Sequence, residues 1–292
     1  MQQERHVMYL SYLPDEATPD FADGLRLGAE LGLRHVEIRL VDGVNVLDLT
    51  DAQIKRAQAL VAAHDMTISA IATPFFKCAL PGTESDEEGP MHGARSVRYA
   101  DHLALLPRGV EIAQAFGASL MRIFSFWDAP TADFWPALTE AVAATVAATQ
   151  DSNVTPCLEN EGACCIKTSA DLAETARRLT DPALKLIWDP GNSSYRGMAP
   201  RAEDFSVFAD RIALVHLKDA TYDQTAGKAS ARLIGEGDTN FATELTRLEA
   251  AGYRGALTLE PHYCPAGDCV VGLRQSVTAI KAIAASVGVA LQ

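Results

Sequence analysis

Four ionisable residues close four successive apolar runs of the sequence: Glu159 in CLENEG, Asp189 in IWDPGN, His216 in VHLKD and Glu260 in LEPHY. A lone charge is expensive to remove from water, so strand interiors are normally apolar. One such residue per run, four runs in a row, asks for a shared partner. The three carboxylates would repel one another with nothing positive between them. A divalent cation supplies that charge, and the oxygen-rich set suits Mn²⁺ or Mg²⁺ better than a thiolate-seeking ion. Glu159, Asp189 and His216 follow one another at the length of one β/α unit. Glu260 comes later by about the length of a polar insertion at 220–238.

For residues so far apart to converge, the chain must bring four strand ends to one place. Apolar runs at 7–13, 35–41, 67–76, 119–126, 155–161, 184–190, 212–219 and 256–263 read as strands, each bounded by turn formers or polar residues. Between them, helical spacing marks 20–31, stopped by Gly32, and 50–63, with Thr50 as its N-cap. The same pattern predicts helices over 101–116, 131–150, 169–179, 239–251 and 270–287, and only short ones within 193–211. Eight such units in 292 residues predict an α/β fold, a closed (β/α)8 TIM barrel forming one domain over residues 1–292. An open doubly wound sheet uses the same alternation. No G-x-G-x-x-G or phosphate-binding loop follows the first strand to support it.

In such barrels the C-terminal strand ends carry the active site, which is where the four residues fall. The longer loops at 77–100 and 220–238 leave that same end and are candidate lids. Alternation along each strand adds rim residues: Glu161 beside Glu159, Lys218 beside His216, His262 beside Glu260. Lys218 is expected to bond a substrate hydroxyl, to pair with Glu161, or to support a ligand. Glu37 and Arg39 share a face and are expected to pair with each other on the pocket wall. Phe75, Phe76 and Trp127 end other strands and offer either core packing or a platform for a ligand.

The order Glu, Asp, His, Glu on strands five to eight resembles the xylose-isomerase-like barrel superfamily, especially its sugar phosphate isomerase/epimerase (ketose epimerase-like) branch. LENEG, WDPGN, VHLKDA with the later GEGD, LEPHY and FFKCALPG all resemble that branch, over nearly the whole chain. The resemblance implies that Glu159, Asp189, His216 and Glu260 hold one metal ion. It also implies that Glu159 and Glu260 remove and return a proton beside a carbonyl, with the enediolate charge stabilised by the metal. It thus implies an isomerase or epimerase acting on a sugar or related polyhydroxy carbonyl compound. The alternative is a lyase with the same metal site, such as a keto-inositol dehydratase or a 3-oxo-glycoside-cleaving enzyme; a non-enzymatic sugar-binding barrel is a further alternative. Glu161, Asn192 and Lys218 are candidate substrate-binding residues. Two positions depart from the branch: Asn192 stands where its epimerases carry histidine, and Tyr222 where they carry arginine. Both departures leave the metal set intact and separate the chain from the known ketose epimerases.

Composition narrows the partners. Against 38 Asp and Glu stand 25 Lys and Arg, a net charge of −13, which disfavours nucleic acid and anionic membranes. No apolar stretch is long enough to span a bilayer and no signal peptide is visible, so the expectation is a cytoplasmic protein. The six cysteines contain no C-x-x-C pair and read as free buried thiols. No G-x-S-x-G elbow exists, and His6, His35, His64, His92 and His102 show no metal spacing. The expected partner is a small carbohydrate, with homo-oligomerisation compatible with the resemblance.

Overall fold

The computed structural model describes residues 7–83, 91, 93–95, 97–130 and 132–292. Its first half runs β1 (Tyr9–Tyr12), α1 (Phe21–Glu30), β2 (His35–Ile38), α2 (Asp51–Ala63), β3 (Thr67–Ile71), α3 (Tyr99–Ala115), β4 (Leu120–Ile123) and α4 (Trp135–Thr149). The second half continues β5 (Thr155–Glu159), α5 (Ser169–Arg178), β6 (Lys185–Trp188), α6 (Pro190–Tyr195), α7 (Ala202–Phe208), β7 (Ile212–Leu217), α8 (Phe241–Ala250), β8 (Ala256–Leu259) and α9 (Cys269–Ser286). The eight strands are parallel and ordered β2-β3-β4-β5-β6-β7-β8-β1. β1 lies beside β2 without a hydrogen-bonded ladder, so the barrel is nearly closed. None of the described helices is long and apolar enough to cross a membrane.

Local sequence sets the helix ends. Asp20 caps α1 by accepting the Asp23 amide at 2.8 Å, and Gly32, at φ +74°, turns the chain out of it. Thr50 and Gln53 form a capping box at the start of α2, as Thr168 and Asp171 do for α5. The connection after β6 holds the two short helices that its irregular pattern predicts.

Inside the barrel, alternation sorts side chains into layers. Ala70, Cys157, Ile187, Leu214 and Ala256 form a small apolar cluster at the floor. Two residues further along their strands stand Glu159, Asp189, His216 and Thr258, all buried. A floor of apolar groups therefore supports a layer of polar ones. The larger core lies between the sheet and the helices and takes in Phe75, Phe76 and Trp188.

Three differences from the sequence-based expectation have physical causes. β3 and β4 end before their apolar runs do, and Phe76 and Phe126 then take positive φ values of 62° and 66°. Left-handed backbone at these two residues keeps extended structure from reaching the ends of the apolar runs, and Phe126 still donates its amide to the Phe76 carbonyl at 2.9 Å. Segment 220–238 is no irregular loop: Asp219–Asp223 pairs with Lys228–Arg232 in an antiparallel hairpin. In segment 77–100, residues 84–90, 92 and 96 lie outside the described residues, as do His6 and His92. The reading of six free thiols is corrected at one pair. Cys264 and Cys269 form a disulfide, because the Pro265–Gly267 turn brings their Cα atoms to 4.2 Å. Cys78, Cys157, Cys164 and Cys165 are free and buried. Cysteine usage therefore gives no argument for a reducing compartment.

Candidate metal centre

The structure brings Glu159, Asp189, His216 and Glu260 together at the C-terminal mouth of the barrel. One ligand atom from each lies within 4.8 Å of all the others, and all four residues are buried. His216 Nδ1 stands 3.0 Å from Glu159 Oε1 and 3.6 Å from Glu260 Oε2. Neighbouring ligands of a six-coordinate ion, each at about 2.1 Å from it, are separated by about 3 Å. The donor set, three carboxylates and one imidazole, fits a hard or borderline divalent ion.

Each of the four side chains is held from behind. Asp189 is the N-cap of α6, accepting the Asn192 amide at 3.0 Å. Its backbone is clasped by Asn160, which accepts the Asp189 N–H at 2.9 Å and donates to the Asp189 carbonyl at 2.8 Å. His216 Nε2 meets Glu37 Oε2 at 3.0 Å, an outer carboxylate that orients the ring. Arg122 donates to Glu159 Oε2 at 3.1 Å, and Arg39 to Glu260 Oε1 at 3.0 Å. Lys218 Nζ bridges Asp189 Oδ2 at 2.9 Å and Glu260 Oε2 at 2.8 Å. Gly191 lets α6 lie directly on this lysine, for a Cβ there would sit 2.2 Å from the Lys218 carbonyl oxygen.

Burial and neighbouring charge pull in opposite directions on these groups. For Glu159, burial raises the pKa, but His216 and Arg122 outweigh it and hold the carboxyl down at about 2. Glu260 likewise lies well below the usual range, because burial is overcome by Lys218 and by hydrogen bonds from His216 and His262. Asp189 goes the other way, pushed up to about 6 by burial that Lys218 only partly offsets. Burial would neutralise His216, yet Glu37 and Glu159 hold its pKa well above the ordinary histidine value. A metal ligand must present a free nitrogen lone pair, so a cation here competes with a proton on His216.

The other sequence candidates divide. Glu161 and Lys218 line a 270 Å³ cavity at the mouth, together with Asn192, Tyr195, Arg196 and His262. Lys218 does not pair with Glu161; it is drawn to Asp189 and Glu260, and Lys77 lies 4.0 Å from Glu161 instead. Asn192 also serves a ligand, its amide nitrogen donating to Asp189 Oδ2 at 3.1 Å. Glu37 and Arg39 do not pair with each other: Glu37 turns to His216, and Arg39 to Asp15, Glu16 and Glu260. Phe75 and Phe76 belong to the core, whereas Trp127 packs with Phe124 and Cys164. Tyr222 lies outside the cluster, its ring against Gly197. Sequence reasoning missed Arg122 and Tyr195; the one signal for Arg122 was a charge inside the apolar run LMRIF.

The sequence profile of the xylose isomerase-like TIM barrel matches residues 25–283. No curated protein sequence matches the chain. Among solved structures, 3-keto-D-glucoside 4-epimerase from E. coli superposes with a TM-score of 0.70 at 14% identity, covering 94% of this chain and 99% of that one. A xylose isomerase-like TIM barrel protein from Mycobacterium smegmatis, in complex with magnesium, gives 0.68 at 17%, covering 98% and 100%. The IOLI protein, solved with a zinc atom, gives 0.73 at 15%, covering 96% and 98%. At these identities the likeness is one of fold.

Proposed function

The chain belongs to the xylose isomerase-like TIM barrel family, and on that membership and the four-ligand geometry we propose a divalent-metal-dependent isomerase or epimerase of sugars or related polyhydroxy carbonyl compounds. The observation that carries the proposal is the convergence of Glu159, Asp189, His216 and Glu260 on one point. Fold neighbours that hold magnesium and zinc support a metal there, and a 3-keto-glucoside epimerase among them supports the substrate class. Mn²⁺ or Mg²⁺ suits the oxygen-rich set. When bound, the ion would supply the positive charge that stabilises an enediolate.

The chain's own residues would move the proton. Glu159 and Glu260 are both held ionised, so either carboxylate can accept a proton without first losing one. One glutamate would remove the proton beside the carbonyl, and the other, once it has taken a proton from solvent, would return one. Arg122 and Arg39 fix the two carboxylates from behind, so that their free rotation is not lost again in each turnover. Glu161, Asn192 and Lys218 border the cavity where the sugar would lie.

The test is solvent deuterium exchange on a panel of ketoses and 3-keto-glucosides, with Glu260→Gln beside the wild type. Gln keeps an oxygen and the size but cannot act as a base. Exchange should fall by about 10²–10⁴-fold in the variant. A stereoisomer or positional isomer as product supports isomerisation or epimerisation, and an unsaturated or shortened product indicates the lyase. Equal exchange in Glu260→Gln and wild type would refute the acid/base assignment.

A further inference from the structure

The Tyr195 hydroxyl is buried and has no hydrogen-bond partner among the described residues, although Tyr195 lines the mouth cavity beside Lys218 and His262. The ring sits edge-on to the His262 imidazole, centroids 5.9 Å apart. His262 Nε2 in turn lies 3.8 Å from Glu260 Oε1, which places the Tyr195 ring on the Glu260 side of the site. Burial pushes the phenol up to about 12, so it stays protonated and acts as a donor.

The position of this ring is fixed several times over. Tyr195 ends α6, whose first turn is capped by Asp189 and braced by Asn192. Gly191 seats the helix on Lys218, and Ser194 Oγ shares a 2.7 Å hydrogen bond with Thr239 Oγ1. A helix so constrained cannot swing to give the phenol a partner elsewhere in the chain. Phenylalanine would fill the same space with no polar atom to desolvate. Among the described residues the hydroxyl makes no bond that would serve the fold, which points to a partner from outside the chain.

We propose that Tyr195 contacts substrate, donating a hydrogen bond from its hydroxyl to a sugar oxygen on the Glu260 side of the cavity. The proposal rests on the reading of this mouth as a sugar site. At 270 Å³ the cavity is near the small end of ligand sites, which run from about 300 Å³, and suits one sugar ring. Tyr195 thereby selects for a hydroxyl, or for the alkoxide it becomes, at one ring position. A sugar lacking that oxygen leaves the phenol buried and unsatisfied, which is how a polar site rejects a deoxy analogue.

The experiment compares the metal-loaded wild type and Tyr195→Phe for binding and turnover of D-fructose, D-tagatose and methyl 3-keto-glucoside, with thermal melting of both. The expected result is a loss of about tenfold in affinity or kcat/KM, with a melting temperature that is unchanged or higher. Monodeoxy forms of whichever sugar binds should include one that the wild type rejects and Tyr195→Phe accepts as well as its parent. Equal affinity and turnover in the two proteins overturns the proposal. A tenfold loss accompanied by a melting temperature several degrees lower overturns it too, since the hydroxyl would then be structural. A wild type that binds none of the three sugars overturns the sugar reading itself and the Tyr195 role with it.

Discussion

The floor and the mouth of this barrel are built from the same strands, one or two alternations apart, and obey opposite rules. At the floor, Cys157, Ile187, Leu214 and Ala256 pack without a polar side chain among them. At the mouth, Glu159, Asp189, His216 and Glu260 are as buried as the floor, but each is matched to an ion or hydrogen-bond partner. Burial contributes stability at the floor by removing apolar surface from water. At the mouth it costs desolvation that the ion pairs only offset. The lower layer carries the fold, and the upper layer holds the groups to which the proposed function assigns the chemistry.

The sharpest way to break this comparison is to remove one ligand from the upper layer. Asp189→Asn keeps the shape and the cap of α6 but withdraws a charge. Disturbing an outer partner of a metal ligand costs about 10–100-fold in affinity, so a direct ligand should cost at least about 100-fold. Calorimetric titration with Mn²⁺ checks it, and unaltered affinity would remove Asp189 from the ligand set. Chelation of the wild type should abolish turnover, with recovery on adding Mn²⁺ or Mg²⁺.

Lys218→Met probes how the upper layer is balanced. The ammonium bridges two ligands, so its loss leaves Asp189 and Glu260 with one fewer counter-charge in a buried place. Without added metal the variant should be less stable by about 3–5 kcal/mol, measured by urea unfolding. A cation beside the ligands also opposes a second cation. The same variant should therefore bind Mn²⁺ about tenfold more tightly, and added metal should restore much of its stability. Weaker binding would mean that Lys218 orients the ligands more than it repels the ion.

The floor gives the opposite signature. Leu214→Ala leaves a cavity beneath the ligands and should cost about 2–5 kcal/mol of stability. Its Mn²⁺ affinity should stay within about threefold of the wild type, because the ligands are braced by α6, Arg122 and Arg39 rather than by this side chain. Linked losses of stability and metal affinity would show that the two layers are not separable.

This separation explains what the sequence made legible. Alternation is a local property, so the strands, the interior face and the four convergent residues all follow from runs such as CLENEG and VHLKD. The braces do not follow, because they join elements far apart in the chain. Arg39 reaches Glu260 across 221 positions and Glu37 reaches His216 across 179, so the local pairing of Glu37 with Arg39 was the natural reading and the wrong one. Local cues also misplace the strand ends at Phe76 and Phe126, where apolar content continues but the backbone turns left-handed. The Cys264–Cys269 bond depends on a three-residue turn that composition alone does not announce.

Two buried histidines bring the comparison down to a single proton. In the absence of a bound cation His216, between carboxylates, is held protonated; His102, on α3 against Phe75 and Phe76, is held neutral. Burial lowers the His102 pKa from 6.5 to about 4, and Asp101 nearby recovers only part of it. Its Nδ1 accepts the Phe76 amide at 3.3 Å, which also requires a free lone pair. The sign follows from the depressed folded value. The unfolded chain takes up this proton first, so the stabilisation is complete above pH 6.5 and is lost as the pH falls towards about 4. Between about pH 7 and about pH 5.5 this one group should remove about 1 kcal/mol from the unfolding free energy. Urea midpoints across that range measure the loss. His102→Asn, whose amide oxygen replaces the acceptor and does not titrate, should flatten the slope by that amount. An unchanged slope would place the acid sensitivity elsewhere and show that this apolar pocket admits a charge as readily as the mouth does.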